Sequence, residues 1–122
     1  MFVGVARVVL RLPGARSLKD RRRVVKSYKE RLKARLPVTV AELGDVESYQ
    51  LATLGLCTVS GELTQCEDVI HKALGMARTL ADALVTDVRH EVIPFGEKGI
   101  AMRGGIESLL DHELADDKYG AG

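Results

Sequence analysis

The chain has 122 residues, 46% of them hydrophobic and 29% charged, with a formal net charge of +1 and only 4% aromatics. That length fits one domain with a proper core, and the scarcity of aromatics argues against a site built on stacking. The near-neutral total hides an asymmetry. Residues 1–40 carry twelve Lys/Arg against Asp20 and Glu30, whereas residues 41–122 carry six against fifteen acids. Either the first part meets an anionic partner or the two parts neutralise each other on folding. Cys57 and Cys66 are too few for a disulfide scaffold and too poorly spaced for a zinc site. The first residues lack the basic-then-apolar pattern of a secretion signal, and no stretch is apolar enough to span a membrane. A reducing, cytoplasmic compartment is the expectation.

Residues 2–12, FVGVARVVLRL, are Val-rich with Arg7 and Arg11 on one parity, which predicts a strand ended by Pro13-Gly14. Ser17 with Asp20 three residues on approximates a capping box and opens a helix from Leu18 to Arg35, stopped before Pro37. At 100° per residue, Leu18, Val25, Tyr28, Leu32 and Leu36 share an apolar stripe. Lys19, Arg22, Arg23, Lys26, Lys29 and Lys33 fall on the opposite side. Arg21 points into the apolar stripe, with its stem packed and its head expected to escape to water. Residues 38–43 predict a short second strand, and Gly44 to Ser48 a polar loop. Residues 50–59 are apolar on both parities and predict a central third strand. Ser60-Gly61 opens a second helix over 62–80, with Cys66, Val69, Ile70, Ala73, Ala77 and Leu80 as its stripe. A last strand, 84–93, sets Val88 and Val92 against Asp87, Arg89 and Glu91.

The order βαββαβ predicts an α+β, ferredoxin-like sandwich: two helices on one face of a four-stranded antiparallel or mixed sheet. Residues 1–95 form this domain, and the Gly-rich segment 96–122 is expected to be a flexible tail.

The segment LPGARSLKDRRRVVKSYKERLKARLPVTVAEL resembles the YlxP-like family, a bacterial domain of unknown function (DUF503). The resemblance is carried by Pro13, Gly14, Ser17, Leu18 and Lys19, then Arg22, Arg23, Lys26 and Ser27, then Val38, Val40, Ala41 and Glu42. Ala52 to Ser60 fits the family's third strand, and the likeness covers roughly residues 1–93. It implies a ferredoxin-like fold. It also implies a place near the ribosome, because genes of this family often adjoin those of translation-initiation and ribosome-maturation factors. It implies no catalytic residue.

The junction from Gly14 to Lys26 carries the functional expectation. A helix N-terminus offers free N–H groups and partial positive charge. Arg16, Ser17, Lys19, Arg22, Arg23, Lys26 and Lys33 are the candidate residues for RNA or ribosome binding. Like charges at i, i+4 and bases beside the helix start are unfavourable, so their accumulation points to an anionic partner or compensating acids. The sequence GARSLKD is not a P-loop. Strand 1 offers valines and arginines where an RRM presents aromatics. With Ala6, Val8, Leu10 and Leu12 toward the helices, Val3, Val5 and Val9 face out, which suggests a sheet-to-sheet homodimer or cover by the tail.

His71, His90 and His112 are scattered, so no metal or cofactor is expected. Both cysteines fit as buried apolar residues. Glu42, Asp45 and Glu47 are expected to pair with Arg21 or Arg22. The expectation is a non-catalytic accessory module. The alternatives are a dimeric module docking an acidic protein and, less favoured, a small-phosphate enzyme at the Gly14–Lys19 loop.

Overall fold

Alternation in the first strand sets the frame. In β1 (Phe2–Arg11), Ala6, Val8 and Leu10 are buried while Arg7 and Arg11 are exposed on the other face. The computed structural model describes residues 1–44 and 48–96. After β1 come α1 (Leu18–Arg35), β2 (Thr39–Leu43), β3 (Leu51–Ser60), α2 (Leu63–Arg78) and β4 (Leu84–Pro94). The four strands form one sheet in the order β2-β3-β1-β4, and every neighbouring pair is antiparallel. This is the expected ferredoxin-like α+β arrangement, and β3 is internal as its two apolar parities require.

Both helices close the same face. Tyr28 and Leu32 of α1 share the core with Leu54 of β3 and with Ile70 and Ala73 of α2. The Tyr28 hydroxyl donates to the Ala73 carbonyl at 2.8 Å, a polar tie between the helices inside that core. Gly4 lies where α2 comes nearest to β1. A Cβ there would sit 2.9 Å from both Cys66 Sγ and Ile70 Cγ1, so the missing side chain permits the approach.

Helix α2 is shorter than the 62–80 expected. Ser60 Oγ accepts from the Glu62 N–H at 3.1 Å, which holds the chain extended up to Leu63. At the other end Thr79 Oγ1 donates to the Met76 carbonyl and Leu80 N–H turns to Ala77, which closes the last turn early. Between β1 and β4 the register shifts at Val9/Leu10, and Thr86 is the extra residue of a bulge. Gly44, with φ of 74°, turns the chain out of β2 in a conformation few other residues adopt.

Three sequence expectations need correction or limits. Val3, Val5 and Val9 lie on the open face but are not its exposed apolar groups. Val3 is buried and the other two half-buried, each with a β3 residue on one side and a β4 residue on the other: Val59 and Ile93 beside Val3, Cys57 and Glu91 beside Val5, Thr53 and Asp87 beside Val9. The large exposed apolar residues on the strands of that face are Leu43, Leu51, Val59 and Leu84. The Arg21 head does not reach water. The expected tail from residue 97 onward, His112, and the acids Asp45 and Glu47 lie outside the described residues.

Candidate anion-binding surface

Ser17 caps α1 as its sequence context requires. Its backbone is extended and its Oγ accepts the Asp20 N–H at 3.2 Å. Asp20 completes the motif with a shift of one residue: its carboxylate accepts the Arg16 N–H at 2.9 Å rather than that of Ser17. The same carboxylate takes Arg23 Nη2 at 3.0 Å. The helix start therefore already holds an anion of its own. A phosphate brought to the Gly14–Lys19 loop would face the Asp20 carboxylate, and Arg23 is already paired.

Arg21 is 2% exposed, and its Nη1 donates to Glu42 Oε2 at 2.9 Å. Its Nε donates to the Leu51 carbonyl at 3.2 Å, while Nη2 is buried and has no partner among the described residues. This cation ties the first turn of α1 to β2 and β3. The expected pairing of Glu42 thus falls on Arg21, and Arg22 is left exposed.

The remaining cations form a row. Lys19, Arg22, Lys26, Lys29 and Lys33 recur at three- and four-residue steps and lie within an arc of about 80° on the helix. Among the described residues their compensation is slight. The acid paired within the row is Glu30, 3.9 Å from Lys26, and both side chains are largely exposed. From Arg22 to Lys33 the row lines one wall of a groove of about 430 Å³, with Glu42 of β2 contributing from the sheet side. Lys29 belongs to this wall and is half-buried. The helical wheel placed it on the right side, but nothing in the sequence says which neighbouring strand it looks across to. Of the expected site residues, Lys19, Arg22, Lys26 and Lys33 share the row. Arg16, Ser17 and Arg23 belong to the capped helix start.

Other groups converge less. His71 and His90, far apart in sequence, meet edge to face with ring centroids 5.7 Å apart. Among the described residues no group of three His, Cys, Asp or Glu side chains is placed to hold a metal ion. Burial pushes the Cys66 thiol up from its ordinary pKa, with smaller contributions from Cys57 and Glu67, which makes it a poor nucleophile. Cys57 is on the open sheet face opposite Val5. No strand residue on that face is aromatic. Among the described residues no helix is long and apolar enough to cross a membrane.

The family model described as "Protein of unknown function (DUF503)" matches residues 3–90. The chain belongs to this family. The matched span of the DUF503 chain takes in β1, both helices, the cationic row and most of β4. No curated protein matches it. Similar solved structures include the de novo designed protein Foldit4, 16% identical with a TM-score of 0.48 over 75% of this chain and 97% of that one. The de novo designed protein Ferredog-Diesel is 11% identical with a TM-score of 0.42 over 73% and 83%. At such scores neither adds to the fold read directly from the strand pairing.

Proposed function

We propose that this DUF503 chain is a non-catalytic cytoplasmic accessory module that binds the phosphate backbone of RNA, on or near the ribosome, through the row on α1. The observation that carries the reading is the line Lys19, Arg22, Lys26, Lys29 and Lys33, in which Glu30 beside Lys26 is the one ion-paired acid among the described residues. Its chemistry suits backbone rather than base recognition. Four of the five are lysines, compact charges without the planar fork that reads a guanine edge. Among the described residues no strand position of the open sheet face is aromatic, so the strands offer no stacking platform for unstacked bases. Binding is then electrostatic, weakly selective for sequence and steeply dependent on salt.

The experiment is sedimentation of cell lysate through a sucrose gradient at low and moderate salt. Wild type is compared with Arg22→Glu/Lys26→Glu/Lys33→Glu. The reading requires wild type to travel with a ribosomal subunit at low salt and the variant to stay at the top. Wild type remaining at the top in low salt contradicts it.

A second reading, compatible with the first, concerns the open sheet face. Leu51 and Leu84 flank Arg11 at one end, and Val59 and Ile93 flank Val3 at the other. Between them lie Arg7, Arg89, Asp87 and Glu91, with Arg7 and Asp87 3.6 Å apart. Apolar ends around a centre of both charge signs suit a two-fold pairing of this face with itself. Val59→Glu is expected to turn a dimer into a monomer in sedimentation velocity. A wild-type chain that is monomeric at high concentration contradicts this.

A further inference from the structure

The two edges of the sheet are unequally protected. The outer edge of β4 is blunted by the bulge at Thr86, by Asp87, Arg89 and Glu91, and by Pro94. The β2 edge is less guarded: a short strand and one inward charge are its protection among the described residues. It is regularly paired with β3 along Thr39–Leu43, carries no Lys, Pro or bulge, and holds one acid, Glu42, turned in to Arg21. Among the described residues β2 pairs with β3 alone, so alternate backbone N–H and C=O groups of the strand point outward.

The surroundings of that edge differ on the two sides of the sheet. On the helix side stands the groove wall of Arg22, Lys26, Lys29 and Lys33, whose two acids, Glu30 and Glu42, are paired with Lys26 and Arg21. On the open side stand Leu43 and, from β3, Leu51, both exposed. The lengths agree as well. Arg22 to Lys33 rises about 16 Å along the helix, and five strand residues extend about 17 Å.

We infer that the β2 edge, together with the groove wall of α1, takes up an extended acidic strand from a partner protein, with acidic side chains on one parity and apolar ones on the other. Main-chain hydrogen bonds to β2 supply the seat. The acidic parity faces Lys26, Lys29 and Lys33, and the apolar parity continues the surface of Leu43 and Leu51. This goes beyond RNA binding and does not rest on it. Both occupants draw on Lys26 and Lys33, so a seated strand and a bound RNA exclude each other. The alternation distinguishes them: a phosphate chain needs charge alone, whereas the strand needs charge, a free main-chain edge and a two-residue period.

The probe is a fluorescent ten-residue peptide of alternating Glu and Val, with anisotropy read against the full chain. Three controls accompany it: the same composition in shuffled order, and two versions N-methylated on one or the other parity. The alternating peptide is expected to bind. One N-methylated version is expected to lose at least about tenfold in affinity, because its donors to β2 are gone, while the other binds nearly as well as the parent. The shuffled peptide is expected to bind at least about tenfold more weakly. Lys29→Glu/Lys33→Glu, with its circular dichroism unchanged, is expected to lose the parent peptide. The inference is overturned if the parent does not bind, or if shuffled and both methylated peptides bind equally well. Equal binding means that charge alone acts, as it would for RNA. Retained binding by the Lys29→Glu/Lys33→Glu chain overturns it too, because the groove is then not the seat.

Discussion

Arg21 is the residue whose behaviour departs furthest from its local sequence. Its buried guanidinium holds Glu42 and the Leu51 carbonyl and leaves Nη2 without a partner. Removing one member of such a pair leaves a buried charge uncompensated, so Glu42→Ala is expected to cost about 3 kcal/mol in urea unfolding. Arg21→Met/Glu42→Leu, which removes both charges, is expected to recover most of that loss. Tyr28 makes a second test. Burial pushes its hydroxyl up from the ordinary value of 10.0 to about 12. The folded state therefore holds the proton more tightly than the unfolded one. The resulting stability is complete below pH 10 and is lost as pH rises toward 12. Tyr28→Phe is expected to cost about 1 kcal/mol at neutral pH and to show a shallower decline above pH 10, read by urea midpoints across the alkaline range.

At the scale of elements, period and punctuation in the sequence are enough for the outline. Alternation gives β1, the two-parity run gives an internal β3, and Ser17 and Pro37 bracket α1, which begins at Leu18 and ends at Arg35. What the sequence does not carry is how one element meets another. The helical wheel puts Lys29 with Lys26 and Lys33, but the groove exists because α1 lies beside β2. Arg21 is expected to reach water until Glu42 and Leu51 close over it. Gly4 reads as one more strand residue until α2 is laid against it. The two histidines look unrelated until β4 passes α2. Only the exchange of the cap partner from Ser17 to Arg16 is local.

The row itself is a local burden, because neighbouring like charges at i, i+3 and i, i+4 repel. Lys29→Glu replaces repulsion with attraction toward Lys26 and Lys33. It is expected to stabilise the chain by roughly 0.5–1 kcal/mol in urea unfolding while weakening RNA binding. A helix that gains stability and loses its ligand by the same change is one whose charges serve the ligand.

At the scale of the whole molecule, the sheet divides the surface of the described residues into parts of different character. The helix side presents one cationic row, the open side presents apolar ends around a charged centre, and the β2 edge is less guarded than that of β4. The near-neutral net charge of +1 conceals the cationic row, since fifteen of the seventeen acids lie after residue 40 in the sequence. The central claim is that this row meets the backbone of RNA. Its most direct measurement is the affinity of the full chain for a single-stranded RNA across a series of salt concentrations. If all five cations contact phosphates, the log–log slope approaches about −3.5, and Arg22→Glu/Lys26→Glu/Lys33→Glu abolishes binding at every salt concentration. A slope near zero, or a variant that binds as wild type does, would contradict the account.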